Sequence, residues 1–251
     1  MDRDEAMRRI ASVGWYHRFE ILPGVMTPGK VSLGRETLTH FGIPQDLKGK
    51  KVLDVGAWDG PLAFEAEARG ATVTALDIQD PDKTGFNTAK AVLDSRVRYI
   101  QGSVYDATSL LSDRFDYIFI FGVFYHLKYP ILAFERLASL LADDGQLVYE
   151  GECLRNYWED ETGKPFDSVD FRALVQSNVP VCLFYSRTYK GDDTNWFIPN
   201  PACLRGWMEA AGLRVVHDFF HDDASTNPPQ QRTGGVARKV GAPPIEHRLV
   251  E

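Results

Sequence analysis

The sequence predicts an α/β fold built on a mostly parallel sheet. Residues 51–55, Lys-Val-Leu-Asp-Val, have the pattern of a short buried strand, and a glycine-containing turn follows them. From there, strand-like and helix-like segments alternate as far as residue 150. Residues 115–121 are an apolar run of strand length, which is typical of a central strand buried on both faces. This alternation predicts parallel βαβ units with a ligand crevice at the carboxyl ends of the strands.

The other elements follow from local residue patterns. Gly70 and Gly212 stand where two predicted helices should end, as glycine commonly does after the last turn. Asp143-Asp144-Gly145 predicts a turn, and the polar stretch 221–231 with its prolines predicts a mobile loop. Further strands are predicted at 72–77, 97–101, 146–150 and 213–220, and helices at 61–69, 88–95, 131–141 and 201–211.

Two flanking regions suggest a domain organisation. Residues 1–48 contain a predicted opening helix followed by a loop, so we expect them to form a cap. Residues 49–251 would then form the main domain. Inside it, residues 152–200 show no clear period and are rich in aromatic and turn-forming residues, as an inserted lid over a substrate would be.

Composition narrows the classes of function. The chain has 251 residues, with 35 acidic against 28 basic side chains and a net charge of −7. This excess of acidic residues argues mildly against a large nucleic-acid partner, although a protein with a net negative charge can still carry a local basic patch. No apolar run is long enough for a membrane span, and the charged amino terminus lacks a signal-peptide pattern, so we expect a cytoplasmic protein. Nothing in the composition indicates an oligomeric state.

Metal chemistry is not expected either. The three cysteines are scattered without ligand spacing and are predicted to be ordinary packed thiols. His221-Asp222-Asp223 would be the other candidate, but acids beside one histidine in a polar stretch are usually solvated. We therefore predict no metal site.

The loop after the first strand has features of a nucleoside-binding site. Gly56 and Gly60 allow the backbone to turn sharply and approach a ligand closely. Asp77 ends the second strand about 20 residues after the loop, where an acid can accept hydrogen bonds from both ribose hydroxyls. Trp58 stands where a dinucleotide-binding loop has its middle glycine, which disfavours a pyrophosphate and favours S-adenosylmethionine (SAM). The residues expected to line the cofactor are Asp54, Gly56, Gly60, Asp77, Ile78, Ser103, Val104, Tyr105, Phe121 and Tyr125.

At this point the residues resemble a known family, the tRNA wobble-uridine methyltransferases and carboxymethyltransferases, a branch of the class I SAM-dependent methyltransferases. Similar sequences also occur among methyltransferases of sugars and secondary metabolites. The resemblance implies a Rossmann-like core with a mostly parallel seven-stranded sheet. It is carried by residues 15–17, 24–29, 51–60, 64–67, 122–127, 194–200 and 231–233.

The resemblance also implies roles for single residues. In the carboxymethyl branch a lysine, a tyrosine and an arginine hold the extra carboxylate of carboxy-SAM. Tyr125 matches that tyrosine and Arg232 the arginine, whereas His17 aligns with the lysine. Because one cation is missing, ordinary SAM and methyl transfer are expected.

Methyl transfer to a hydroxyl or amine needs alignment and removal of a proton. His126 is the best candidate for the base, although it could instead orient a loop. Tyr125 is the second catalytic candidate, with contact to the cofactor as its expected role. Three residues are candidates for substrate binding: His17, Trp196 and Arg232. Trp196 could instead be part of the core, and Arg232 could instead be a solvated surface residue.

These features predict a SAM-dependent methyltransferase that methylates a hydroxyl group of a small or sugar-like acceptor. Two alternatives stay open. One is methylation of the wobble uridine U34 of tRNA, and the other is a SAM-binding protein without catalysis.

Overall fold

A computed structural model of the chain describes residues 1–166 and 168–240. Its amino-terminal part begins with a helix whose first turn is capped by Asp2, which accepts a hydrogen bond from the N–H of Glu5 at 2.8 Å. Short strands and a second helix follow. These elements are α1 (Arg3–Ala11), β1 (His17–Arg18), β2 (Glu20–Leu22), β3 (Val25–Met26), β4 (Val31–Ser32) and α2 (Arg35–His40).

A mostly parallel sheet of seven strands forms the centre of the fold, which confirms the predicted α/β class. The later strands are β5 (Lys51–Val55), β6 (Thr72–Asp77), β7 (Arg98–Gln101), β8 (Phe115–Phe121), β9 (Leu141–Glu152), β10 (Cys182–Phe184), β11 (Phe197–Pro199), β12 (Leu213–Asp223) and β13 (Gln230–Lys239). The order across the sheet is β12-β13-β9-β8-β5-β6-β7. β6 runs parallel to both β5 and β7, whereas β13 runs antiparallel to both β9 and β12.

The helices begin and end where local chemistry allows. Pro61 and Pro201 each open a helix, at the position where a missing backbone N–H costs nothing. Asn200 caps the second of these by accepting from the N–H of Cys203 at 2.9 Å. Gly212, with a φ of +78°, follows its last turn as predicted. The helices are α3 (Pro61–Ala68), α4 (Phe86–Val92), α5 (Ala107–Leu110), α6 (Pro130–Leu140), α7 (Val169–Val175) and α8 (Pro201–Ala210).

One predicted turn is absent, and one predicted loop is shorter than expected. The expected turn at residues 143–145 lies inside β9, which begins at Leu141. The expected loop at 221–231 is shorter than predicted, because β12 continues to Asp223 and β13 begins at Gln230, which leaves residues 224–229 as the connection. In that hairpin His221 pairs with Arg232, so backbone ladder bonds order a stretch whose polar side chains suggested a loop.

The described chain divides into two compact units. The first unit holds residues 1–119 and 140–145, and its core includes Leu53, Ala75 and Phe86. The second unit holds residues 120–139 and those from 146 onward, and its core includes Phe134 and Tyr149. Among the described residues, none of the helices is both long and apolar enough to cross a membrane.

The expected cap at 1–48 and main domain at 49–251 stay predictions, and residues 241–251 of that range lie outside the described residues. The expected lid, 152–200 with residue 167 undescribed, contains α7 and the antiparallel pair β10–β11. Its centre is Trp158, whose buried ring has the ring of Phe171 4.9 Å away. The described part of this segment therefore has secondary structure and a small aromatic core of its own.

Candidate functional site

In the first unit, the loop between β5 and α3 depends on glycine. Gly56 and Gly60 have φ angles of +74° and +83°, a region that residues with a side chain rarely adopt. A Cβ atom on Gly60 would also lie 2.6 Å from the ring of Phe64 and 2.8 Å from that of Phe86. Both the conformation and the packing of this loop therefore require glycine at position 60.

Asp77, at the end of β6, joins two segments that follow neighbouring strands. Its Oδ2 accepts a hydrogen bond from the N–H of Trp58 at 2.8 Å, and its Oδ1 accepts from Gln79 at 2.9 Å. A carboxylate oxygen has two acceptor positions, so each oxygen can still accept from a ribose hydroxyl. Next to Asp77, Ile78 is 66% exposed and presents an apolar surface.

The segment after β7 is hydrogen-bonded to the end of β6. The N–H of Gly102 donates to the carbonyl oxygen of Asp77 at 2.8 Å. Ser103 then accepts from the N–H of Tyr105 at 3.2 Å and opens a short 3-10 turn that begins at Val104. The predicted cofactor residues of β6 and β7 are thus held by direct hydrogen bonds between the two strand ends.

Asp54 is buried in β5 and helps to organise the loop. Its Oδ2 accepts from the N–H of Ala63 in the first turn of α3 at 3.1 Å. Burial raises the pKa of Asp54 from 3.8 to about 7, and the charge of Asp77 adds to this rise. The free protein therefore holds a proton on Asp54 over a pH range in which an unfolded chain has lost it.

This proton makes the stability of the free protein depend on pH. The pKa of Asp54 is higher in the folded state, so the free energy of unfolding should fall as pH rises from about 4 to about 7. Asp54→Asn removes the charge, and at pH 8 we expect it to raise the free energy of unfolding by roughly 2–4 kcal/mol. Urea unfolding at pH 5 and pH 8 measures both effects. The exposed variant Asp46→Asn is the control, and an equal response of the two variants would contradict the prediction.

The amino-terminal segment of the first unit is anchored by a buried carboxylate. Asp59 accepts from the backbone N–H of Tyr16 at 2.8 Å and of His17 at 3.0 Å. Its other oxygen lies 2.6 Å from Nδ1 of His17. The ring of His17 is thus already paired with a negative charge. Sequence reasoning did not single out Asp59, because only the fold brings residues 42 positions apart into contact.

In the second unit, Arg232 is bound by a carboxylate. Its Nε and Nη2 donate to the two oxygens of Glu150 at 2.6 and 2.8 Å, a bidentate pair. Nη1 donates to the hydroxyl oxygen of Tyr125 at 3.2 Å. Burial raises the pKa of Tyr125, although the charge of Arg232 opposes the rise. Tyr125 therefore keeps its proton near neutral pH, which does not support a role as a base.

A second ion pair lies in the same unit. Lys190 donates to Oε1 of Glu152 at 2.6 Å, and the hydroxyl of Tyr189 donates to the same oxygen at 3.2 Å. Oε2 of Glu152 is 3.8 Å from Nη1 of Arg232. The two acidic side chains, Glu150 and Glu152, are therefore matched by two basic ones, Arg232 and Lys190. This pairing could not be predicted, since Lys190 lies in a segment without a recognisable period.

His126 and Trp196 also belong to the second unit, as does Phe121 at the end of β8. Nδ1 of His126 contacts Thr194, 2.9 Å from the hydroxyl and 3.2 Å from the carbonyl oxygen. The N–H of Trp196 donates to the carbonyl oxygen of Tyr125 at 2.9 Å, and Lys128 lies over the indole ring, 4.3 Å from its centroid. The second unit thus brings four predicted residues together: Tyr125, His126, Trp196 and Arg232.

The described ranges contain no group of three His, Cys, Asp or Glu side chains that could hold a metal ion. The side chains assigned to the cofactor have chemistry that is compatible with SAM. Asp77 offers acceptors to a ribose, Ile78 offers an apolar face, and Trp58 takes the place of the glycine that a pyrophosphate would need. The assignments of single residues remain predictions.

Comparison with known proteins identifies the family of the chain. The family model described as a methyltransferase domain matches residues 33–218. A curated relative from Aeromonas salmonicida, named tRNA U34 carboxymethyltransferase, is 29% identical over 192 residues, which cover 74% of this chain and 51% of the relative. A relative of the same name from Desulfotalea psychrophila is 25% identical over 75% of this chain and 52% of its own length. The chain therefore spans about half the length of these relatives.

Solved structures show the same fold. The 1,6-didemethyltoxoflavin-N1-methyltransferase of Burkholderia thailandensis, with bound S-adenosylhomocysteine, has a TM-score of 0.55 at 17% identity. The alignment covers 81% of this chain and 75% of that one. Because the family model covers well over half of the chain, the predicted enzyme class and cofactor are confirmed. The chain belongs to the methyltransferase domain family, as a class I SAM-dependent methyltransferase that resembles the tRNA U34 carboxymethyltransferases.

Proposed function

We propose that this enzyme transfers an unsubstituted methyl group from SAM to a hydroxyl group on the wobble uridine of tRNA. The observation that carries the choice of methyl over carboxymethyl is the bidentate pair between Arg232 and Glu150. In the carboxymethyl branch that the chain resembles, the matching arginine holds the extra carboxylate of carboxy-SAM. Here a carboxylate of the protein already occupies the guanidinium fork.

Charge supports the same choice. Glu150 and Glu152 balance Arg232 and Lys190, so an added carboxylate would leave this partly buried cluster with a net negative charge. Burying an unpaired charge is unfavourable. In the first unit, His17 replaces the matching lysine and is held by Asp59, so it supplies no free cation.

The acceptor is proposed from the relatives. The curated relatives are named for U34 of tRNA, which favours the wobble uridine over the small acceptor expected from the sequence. A small hydroxylated molecule is the second candidate. It is supported by the excess of acidic residues, 35 against 28 basic ones, because a protein that binds a phosphate backbone usually has a basic surface.

The proposed chemistry requires alignment and a base. SAM supplies an electrophilic methyl carbon on its sulfonium. A SAM molecule held by Asp77 and its neighbours would supply that carbon to the acceptor oxygen, and the electron pair of the broken carbon–sulfur bond would stay on sulfur. The proton of the acceptor hydroxyl passes to His126, whose pKa is lowered by burial below its usual value. Tyr125 stays protonated and shapes the pocket of its unit.

A product assay tests this function. The protein is incubated with SAM or carboxy-SAM and with tRNA that carries a hydroxylated wobble uridine, and nucleosides are analysed by mass spectrometry. We expect a methyl product from SAM and no carboxymethyl product from carboxy-SAM. A panel of small hydroxylated acceptors is assayed in parallel. A carboxymethyl product would overturn the choice of cofactor, and methylation of small acceptors alone would overturn tRNA as the substrate.

A further inference from the structure

The side chain of His126 faces two oxygen atoms of one residue. Nδ1 of His126 lies 2.9 Å from the hydroxyl oxygen of Thr194 and 3.2 Å from its carbonyl oxygen. The hydroxyl of Thr194 in turn lies 2.6 Å from Oδ1 of Asp192. We propose that Asp192 and Thr194 are positioning residues that fix neutral His126 as the tautomer with its proton on Nδ1, which leaves Nε2 free to act as the base. This inference rests on the proposed function for its catalytic part.

The direction of each hydrogen bond follows from the number of protons available. A carboxylate can only accept, so the single hydroxyl proton of Thr194 points to Asp192. The hydroxyl oxygen can then only accept from His126, and the carbonyl oxygen of Thr194 can only accept as well. Both neighbours of Nδ1 are therefore acceptors, and a proton on Nδ1 satisfies both of them. A proton on Nε2 would instead bring lone pairs together at Nδ1.

The loop that carries this pair is held in place. Oδ1 of Asp192 also accepts from the backbone N–H of Thr194 at 2.8 Å. The backbone groups of Asp192 and Tyr189 exchange two hydrogen bonds, of 3.1 and 3.0 Å. The side chain of Asn195 donates to the carbonyl oxygen of Tyr189 at 3.1 Å. The acceptors that face His126 are thus fixed before any ligand arrives, which lowers the cost of orienting the base.

The other nitrogen of His126 is available. Within residues 1–166 and 168–240, no protein group makes a hydrogen bond to Nε2. Burial lowers the pKa of His126, and the positive charge of Arg232 lowers it further. The hydrogen bond to Thr194 and the negative charge of Asp192 oppose this shift. A neutral imidazole with a lone pair on Nε2 is the form that can take a proton from a hydroxyl acceptor.

The chain contains a matched comparison within the same unit. Asp160 and Thr162 form the same local turn, in which the hydroxyl and the N–H of Thr162 lie 2.6 and 2.8 Å from Oδ1 of Asp160. No histidine is bonded to that hydroxyl in the described residues. Thr162→Val therefore removes the same local hydrogen bond as Thr194→Val without touching a candidate base.

Nitrogen NMR of the full-length protein without substrate tests the assignment directly. Long-range ¹H–¹⁵N correlations distinguish a protonated from an unprotonated ring nitrogen, and His126→Gln identifies the signals. At pH 8 we expect Nδ1 of His126 to be protonated and Nε2 not. Thr194→Val should shift the population towards the other tautomer, whereas Thr194→Ser and Thr162→Val should leave it unchanged. A proton on Nε2 in the unsubstituted protein, or a Thr194→Val spectrum with His126 unchanged, would overturn the proposal.

Steady-state kinetics give a second measurement once the acceptor is identified. Thr194→Val should lower kcat about tenfold with little change in KM, because ground-state binding is unaffected. Thr194→Ser should recover most of the rate, and a Thr194→Val enzyme with full kcat would contradict a role in the reaction. The positioning of His126 and the proposed function can therefore be tested separately. A fixed Nδ1–H tautomer in a protein that methylates none of the acceptors defeats the proposed function and leaves the positioning of His126 intact.

Discussion

We expect Asp77→Ala to reduce the affinity of the protein for SAM and S-adenosylhomocysteine by at least about 100-fold. The expected loss follows from two hydrogen bonds between ribose hydroxyls and an ionised carboxylate, each of which contributes about 1.5–3 kcal/mol. The variant also removes the acceptor for the N–H of Trp58 and of Gln79. Both loops then lose the bond that holds them to the end of β6.

Calorimetric titration with S-adenosylhomocysteine measures this effect. Asp77→Asn should fall between the alanine variant and the unsubstituted protein, because an amide keeps one acceptor oxygen but places an N–H₂ group against a backbone donor. Asp46→Asn is a matched control, since Asp46 accepts from a backbone N–H two residues later as Asp77 does. If folded Asp77→Ala bound the ligand within about threefold of the unsubstituted protein, the assignment of the ribose site would be wrong.

The conformation of the loops that carry the predicted cofactor residues could be predicted, because it depends on local sequence. Gly56 and Gly60 are needed by the backbone of one turn, and Asp77 ends a strand whose hydrophobic pattern is plain. The alternation of strands and helices predicted the class of the sheet for the same reason. The predictions of secondary structure failed where strand pairing outweighs the local composition of the sequence. The two ends of the polar run 221–231 form strands, because their backbones pair in a ladder that side-chain polarity does not reveal.

The contacts that decide which charges and hydrogen bonds the site offers to a ligand could not be predicted from the sequence. Arg232 was a candidate either for binding an anion or for a place in solvent, yet its fork is filled by Glu150, 82 residues earlier in the chain. Similarly, the partner of His17 is Asp59, and that of His126 is Thr194. A motif shows which residue types are present, whereas the charge and hydrogen bonds available to a ligand depend on partners far away in sequence.

Arg232→Met should lower the free energy of unfolding by about 3 kcal/mol. The side chains of Arg232 and Glu150 are only 24% and 20% exposed, so removing the cation leaves a largely buried carboxylate without its partner. Glu152 loses a nearby positive charge, and Tyr125 loses a donor to its hydroxyl. Urea unfolding at pH 7 measures the change.

Two comparisons decide what that loss means. Arg205→Met breaks a more exposed pair, with Asp218 at 2.7 Å, and should cost less than about 1 kcal/mol. The double variant Arg232→Met, Glu150→Met should recover most of the loss, because apolar side chains of similar volume leave no unpaired charge at that pair. If Arg232→Met cost no more than Arg205→Met, Glu150 would not be holding the guanidinium. Arg232 would then be free to bind the carboxylate of carboxy-SAM, and carboxymethyl transfer would become the better assignment.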